Sequence, residues 1–400
     1  MPREDYLTLN LGGGKVYVRK DRISQIRRVD GIIFDCDGVL IDIRESYNKA
    51  ISRSATYILE GMTGCAVPES LISNEIIYLF RKTGGFNNDW DTVYGILMFT
   101  LSSLPKEIRE CLGKLMEKFE WEKSSFKRLM LIKEAAGRES RLHVLNQKFF
   151  AETIEKLKDF TNLLDSTGRE SVDGKLMEIH GSDEGFRSFY DLLKRFLHPA
   201  ENVQKSIIAR VFEEFFCGAR LFREVYGIDP QFNNGPGLIE NENLIIKPEA
   251  LDSLISILGK RNLGIASGSR RKSAEYVLGG LIDKFNPKAL VFAETVEMAE
   301  RELSRKKSLK KPHPFPLLKA AEGFEDCSLL MYVGDSAEDV LMASEAEKLK
   351  GEVLFAGVYR YACLEEEIIR SFLDYECDMV IPSVNELPAV LENLRRIREC

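Results

Sequence analysis

The sequence predicts an α/β protein, a parallel Rossmann-like sheet covered by helices and interrupted by a large all-α insertion. Three observations predict it. After residue 245, short β-branched apolar runs alternate with helical segments. One run of the same kind stands far upstream, at 31–36, while its next companion is at 263–267. Between them the apolar residues recur at helical steps of three and four. Strands alternating with helices build parallel sheets buried on both faces, and so read as near-continuous apolar runs.

Taken in order, residues 6–18, YLTLNLGGGKVYV, alternate apolar and polar on both sides of a glycine triplet, a hairpin signal. This hairpin reads as an accessory extension over 1–24. The run 31–36 is the first buried strand. Helices are expected near 45–60, 69–82, 88–103, 106–119, 140–163, 183–197 and 207–216. The clearest is IIARVFEEFF, where Ile207, Ile208, Val211, Phe212, Phe215 and Phe216 share one face. After the loop FNNGPG (232–237) comes a helix over 248–260. Strands follow at 263–267, 289–293, 329–333, 353–358 and 378–381. The expected division is a core of 25–44 with 246–400, and a helical domain of 45–245.

The chain has 400 residues, ample for two domains, with 44% hydrophobic and 30% charged residues and a net charge of −7. That balance gives no reason to expect nucleic acid or an anionic membrane as partner. No apolar run is long enough to span a bilayer. The start, Met-Pro-Arg-Glu-Asp, carries acids where a secretory signal is basic and then apolar, so a cytoplasmic location is expected. Eight cysteines form no CxxC pair, and the histidines at 143, 180, 198 and 313 form no zinc motif. The basic run 301–311, RELSRKKSLKK, reads either as a solvated connection or as an anion-binding loop.

The stretch IIFDCDGVLID (32–42) places Asp35 and Asp37 at the end of a buried strand, where unpaired carboxylates are costly. Ligands of parallel sheets bind beyond the carboxyl ends of the strands. There the sequence also puts Ser267-Gly268-Ser269-Arg270, Lys311-Pro312-His313-Pro314, and Gly334-Asp335-Ser336 with Asp339. Carboxylates gathered from separate strands suit Mg²⁺, which accepts one or two protein acids together with water and phosphate. A hydroxyl and backbone N–H groups can cradle phosphate oxygens. One carboxylate can attack phosphorus, and a second, two residues on, can move the proton. Cys36 lies between the acids, but alternation along a strand turns it into the packing.

FDCDGVLID, IASGS, KPHP and VGDSAED, in that order, resemble the four motifs of the haloacid dehalogenase superfamily, in its phosphatase branch with a helical cap between the first and second motifs. The resemblance covers about 25–44 and 246–400, and the cap is larger than is usual in phosphoglycolate phosphatase-like members. It implies Asp35 as nucleophile and Asp37 as general acid/base. Ser267 and Gly268 would bind phosphate, and Lys311 would balance charge; Lys310, Lys307 and Lys306 are its rivals. The Mg²⁺ ligands would be Asp35, Asp37 through its backbone carbonyl, Asp335 and Asp339, the last as a helix-face acid in the competing reading. Ser269 and Arg270 either cap the next helix or touch substrate. An acid at 37 argues for phosphoryl rather than dehalogenase chemistry.

Within the insertion, RKTGGFNNDWD (81–91) admits two readings. Asn87, Asn88 and Asp89 cap the helix that follows, with Trp90 as its first core contact. Alternatively Arg81, Lys82, Asn87, Asn88 and Asp89 form a substrate loop. Arg44 is a further candidate at the junction. The expected activity is Mg²⁺-dependent hydrolysis of a small phosphorylated metabolite, by a monomer or homodimer. A phosphomutase of the same fold, or a binding protein that uses the large insertion, is the alternative.

Overall fold

The computed structural model describes residues 4–86, 88–199, 202–303, 308–362 and 364–396, with the side chain of residue 303 left aside. Two compact units divide the chain, Met1–Ile43 with Glu242–Cys400, and Arg44–Asn241.

The first unit opens with β1 (Tyr6–Leu11) and β2 (Gly14–Arg19), then a short α1 (Ile23–Ile26), β3 (Gly31–Phe34) and β4 (Ile41–Asp42). The helical unit follows as α2 (Tyr47–Thr63), α3 (Asn74–Lys82), α4 (Asp89–Ser102), α5 (Lys106–Lys118), α6 (Ser125–Arg138), α7 (Gln147–Thr161), α8 (Arg169–His180), α9 (Phe186–Leu197) and α10 (Ile207–Tyr226). The chain then returns through β5 (Asn243–Leu244), α11 (Pro248–Leu258), β6 (Leu263–Ala266), α12 (Arg271–Leu278), β7 (Leu290–Val291), α13 (Ala293–Leu303) and α14 (Phe315–Ala321). It ends with β8 (Leu330–Gly334), α15 (Ala337–Lys350), β9 (Val353–Val358), α16 (Glu365–Asp374), β10 (Met379–Ile381) and α17 (Leu387–Arg396).

The expected α/β architecture is borne out. One eight-stranded sheet runs β1-β2-β10-β9-β8-β3-β6-β7. From β10 to β7 all neighbours are parallel, while β1–β2 and β2–β10 are antiparallel. The hairpin extends the same sheet: Val18 and Tyr17 pair with Met379 and Val380. Alternation along β3 and β8 feeds two cores. Ile32, Phe34, Met331 and Val333 join Leu251, Leu254, Leu387 and Leu391 on one face. Ile33 and Tyr332 join Leu317, Ala320, Met342 and Ala346 on the other. β3 lies between β6 and β8, so the loops leaving these three strands are neighbours at one edge of the sheet.

Within the helical unit, α4 is buried from Thr92 to Ser102, as a helix apolar all round must be. Some elements differ from expectation. The helix expected over 69–82 begins only at Asn74, where Ser73 Oγ accepts the Ile76 N–H at 3.4 Å. The helix expected over 140–163 starts as a 3₁₀ turn and becomes α-helical at Gln147. Two helices, α6 and α8, escaped the periodicity argument. The 207–216 helix continues to Tyr226 through a break at Gly218, with φ 69°. A Cβ at Gly218 would sit 2.2 Å from Gly237 N, so a close crossing of the returning chain needs glycine there. Buried Glu214 fixes the same return, accepting the backbone N–H groups of Gln231 (2.7 Å), Phe232 and Asn233 (3.1 Å). No helix among the described residues is long and apolar enough to cross a membrane.

Candidate active site

Asp35 directly follows β3 and Asp37 comes two residues later. Asp35 is buried, and its Oδ1 accepts the Cys36 N–H at 2.8 Å. Lys311 Nζ reaches Asp35 Oδ2 at 2.7 Å and Asp339 Oδ1 also at 2.7 Å. Among the described residues, one oxygen from each of Asp35, Asp335 and Asp339 lies within 4.8 Å of the others. The four sequence segments thus meet at the edge formed by β6, β3 and β8. Gly38 is part of the design: its φ is +74°, and a Cβ there would fall 2.0 Å from Asp335 Oδ2. Only glycine lets the chain turn that close to a carboxylate.

Asp339 is fully buried, and five donors converge on it. Its Oδ1 takes Lys311 Nζ and Tyr332 Oη (3.0 Å); its Oδ2 takes Ser336 Oγ (2.7 Å), Ser336 N (3.1 Å) and Asp335 N (3.2 Å). An ionised carboxylate has about four lone-pair sites, so these donors use its capacity. Asp339 therefore holds Lys311 and closes a capping box with Ser336 at the start of α15. Asp339 is thus more than a plain helix-face acid, and one of its oxygens still lies in the cluster with Asp35 and Asp335.

The electrostatics follow from burial and these contacts. Burial is the strongest influence on Asp35 and raises its carboxyl; Lys311 opposes this, Asp339 adds to it, and the balance lies above the ordinary aspartate value. Burial would raise Asp339 too, but Lys311 and the hydrogen bonds from Lys311, Ser336 and Tyr332 hold it low. Burial works against the Lys311 ammonium, yet Asp339 and Asp35 together keep it firmly charged. Glu338, next to Asp339, is pushed up to about 8 by burial and by that neighbour. Burial drives the Cys36 thiol well above its ordinary value, and the residue packs into the apolar core, away from reactivity.

Ser267 is buried at the end of β6, and its N–H is spent on Val291 O at 3.0 Å, leaving the hydroxyl as its polar contribution. Gly268 is exposed, with no atom within 4 Å of where a Cβ would stand. Ser269 is buried, and its Oγ donates to Asp37 Oδ2 at 2.7 Å. Ser269 does not cap α12, whose N-cap is Arg270 without a side-chain cap bond. Arg270 makes a two-pronged contact with Glu297, at 3.1 and 2.8 Å. Of the lysines in the basic run, Lys310 is exposed and the Lys311 side chain is 12% exposed; Lys306 and Lys307 lie outside the described residues.

In the helical unit, Asn88 of the 81–91 stretch makes the contact that the capping reading expects. Asn88 Oδ1 accepts the Trp90 N–H at 3.1 Å, at the N-cap of α4. Asp89 pairs with Arg81 Nη2 at 2.8 Å, and Lys82 Nζ stands 6.0 Å from the Tyr78 ring centre. Trp90 Nε1 donates to Glu213 Oε1 at 3.0 Å. Asn87 lies outside the described residues. Tyr332 is a residue that sequence reasoning passed over, and Ser336 was placed at the strand ends without a role. Tyr332 looked like an apolar strand residue, yet a buried phenol needs a partner for its hydroxyl, and that signal was available.

Residues 234–347 match the family model of haloacid dehalogenase-like hydrolases. The match carries Ser267, Lys311, Asp335 and Asp339; Asp35 and Asp37 precede it in sequence. A structural-genomics target solved by X-ray crystallography superposes with a TM-score of 0.63 at 17% identity, covering 91% of this chain and 99% of that one. At that identity the likeness shows the fold. The phosphatase Tt82 from Thermococcus thioreducens is 21% identical, covers 86% of this chain and 98% of its own, and has a TM-score of 0.46. No curated protein matches the sequence.

Proposed function

We propose that the protein is a Mg²⁺-dependent phosphatase that hydrolyses a small phosphomonoester through an aspartyl-phosphate on Asp35. The observation that carries this reading is the contact of Lys311 with both Asp35 and Asp339 beside Asp335, all at one strand edge. A general structural ion pair needs two charges; here two acids share one lysine and a third, Asp335, stands within 4.8 Å of both, an excess of negative charge that a cation and a phosphate together would balance.

The residue types fit Mg²⁺, with Asp35, Asp335 and the backbone carbonyl of Asp37 as the oxygens to hold it and Gly38 leaving space beside Asp335. When bound, the ion supplies positive charge that keeps Asp35 ionised and offsets the charge of the phosphoryl group. The chain's own residues do the rest. Ser267 Oγ and the Gly268 N–H bind phosphoryl oxygens, and Lys311 faces the developing charge. An Asp35 oxygen attacks phosphorus, the bond from phosphorus to the ester oxygen breaks, and the departing alkoxide takes a proton from Asp37. Water then attacks phosphorus, gives its proton to Asp37, and the bond from phosphorus to Asp35 breaks, which releases phosphate and restores both acids.

The test is phosphate release from a panel of small phosphomonoesters, with and without Mg²⁺, beside Asp35→Asn. Release that needs Mg²⁺ and is lost in the variant supports the reading, and the best ester defines the substrate. A folded protein that releases phosphate from none of them contradicts it, and persistence of a bisphosphate would turn the assignment to a phosphomutase.

A further inference from the structure

We infer that Ser269 is a positioning residue for Asp37, tethering the proton-transferring carboxylate through one oxygen while Ser267 serves the phosphoryl group. The inference deepens the phosphatase reading and rests on it. Three observations carry it. Ser269 is 6% exposed, so its hydroxyl has almost no water to bond. Its Oγ donates to Asp37 Oδ2 at 2.7 Å, and the two residues are far apart in sequence. Its Oγ is also 3.0 Å from Ser267 Oγ, and its N–H donates to Ser267 Oγ at 3.2 Å.

The proton count fixes the direction of this chain. A serine hydroxyl has one proton and can accept on its lone pairs. Ser269 spends its proton on Asp37, so across the short contact it can only accept from Ser267. Ser267 in turn has one proton to give; the Asp35 carboxylate, which its hydroxyl also reaches, and a phosphoryl oxygen compete with Ser269 for it. Ser269 needs no rearrangement when that happens, because its own donation is to Asp37. The two serines thus divide the work: one hydroxyl is available to the substrate and the other stays on the acid. The parallel pairing of β3 with β6 makes this possible, since it sets the loops that follow Phe34 and Ala266 side by side.

Holding the carboxylate by Oδ2 orients its plane, so that a proton passes to the ester oxygen without a search for the right rotamer. A misplaced proton donor harms the step that needs it and spares the step that does not. Cleavage of an alkyl ester needs a proton on a strongly basic alkoxide. Nitrophenolate is a weak base and leaves without one. In both cases an Asp35 oxygen forms the bond to phosphorus as the ester bond breaks; only the fate of the leaving oxygen differs.

The experiment compares wild type, Ser269→Ala and Ser269→Thr with Mg²⁺ present, on glycerol 2-phosphate and on p-nitrophenyl phosphate. Steady-state rates are taken for the first, and the pre-steady-state burst of nitrophenolate for the second. For Ser269→Ala, kcat on the alkyl ester falls at least ~10-fold more than the nitrophenolate burst rate, with the loss in kcat rather than KM. Ser269→Thr keeps the hydroxyl and restores the alkyl-to-aryl ratio toward wild type. Equal losses on both esters would reduce Ser269 to a packing residue and overturn the inference. A loss confined to KM would make it a substrate contact, which also overturns it. If wild type itself acts on neither ester, nor on any of the wider panel, the phosphatase reading fails first, a result separate from either pattern.

Discussion

Replacing Asp339 by asparagine tests whether the charge of this buried acid, rather than its shape, holds the site together. Asparagine keeps the volume and removes the charge. Its amide nitrogen must then face one of two sets of donors, either Lys311 and Tyr332, or Ser336 and the Asp335 N–H. Breaking a buried pair by removing one partner costs about 3–5 kcal/mol. Lys311 keeps its second contact, Asp35 Oδ2 at 2.7 Å, so the lower end applies. A loss of about 3 kcal/mol corresponds to roughly a hundredfold change in an opening equilibrium. Both tryptophans, Trp90 and Trp121, are in the helical unit, so fluorescence does not report on this sheet. Native-state hydrogen exchange of β8, Leu330–Gly334, does. We expect those amides to exchange about a hundredfold faster in Asp339→Asn, and Tyr332→Phe, which removes one of five donors, to have a clearly smaller effect. Acceleration of less than about tenfold in Asp339→Asn would refute the reasoning, because the carboxylate would then be replaceable by a neutral amide.

Two further outcomes follow from particular contacts. Gly38→Ala places a Cβ 2.0 Å from Asp335 Oδ2 at a φ of +74°, so we expect Mg²⁺ affinity by calorimetry to fall at least ~10-fold with a backbone cost of about 1–2 kcal/mol; wild-type affinity would contradict the placement of the ion. Burial raises the Asp378 carboxyl from 3.8 to about 6, against the Phe355 N–H at 2.9 Å and Arg22 at 3.2 Å. The folded protein therefore binds this proton more tightly than the unfolded chain, so the contribution is full below 3.8 and is lost as pH rises through about 6. Relative to Asp378→Asn, wild type should lose up to about 3 kcal/mol in denaturant unfolding between roughly pH 4 and pH 7, and a gain over that range would contradict the burial argument.

Much of the arrangement was legible before any coordinates. Buried parallel strands read as apolar runs, and ligands gather at their carboxyl ends, so FDCD, IASGS and VGDSAED had to end at one edge once their strands were neighbours. The structure brings Asp35, Asp37, Ser267, Lys311 and Asp335 there. Less legible were contacts made by hydroxyls. Ser269 was weighed as a helix cap or a substrate contact, because spacing along one loop says nothing about a carboxylate on the next strand. Tyr332 sits in LLMYV, where its ring satisfies the apolar pattern and conceals its hydroxyl. The helices α6 and α8 were missed for different reasons. In α6 the buried residues Leu129, Ile132 and Ala136 do carry a helical spacing, among many charged neighbours. In α8, Gly174 and a buried set of only Ser171, Val172 and Leu176 leave little stripe to find. In the loop RKTGGFNNDWD, Asn88 makes the cap contact that one of the two readings expected, and Asp89 pairs with Arg81.

The central claim is that Asp35 carries the phosphoryl group. The direct measurement is borohydride trapping during turnover of the best ester, followed by peptide mass spectrometry. An aspartyl-phosphate is reduced at its activated carbonyl, which converts residue 35 to homoserine. The account predicts that conversion at position 35 alone, dependent on Mg²⁺ and substrate, and absent in Asp35→Asn. Phosphate release that continues at the full rate with no modification at position 35, or with modification at Asp37 instead, would contradict it.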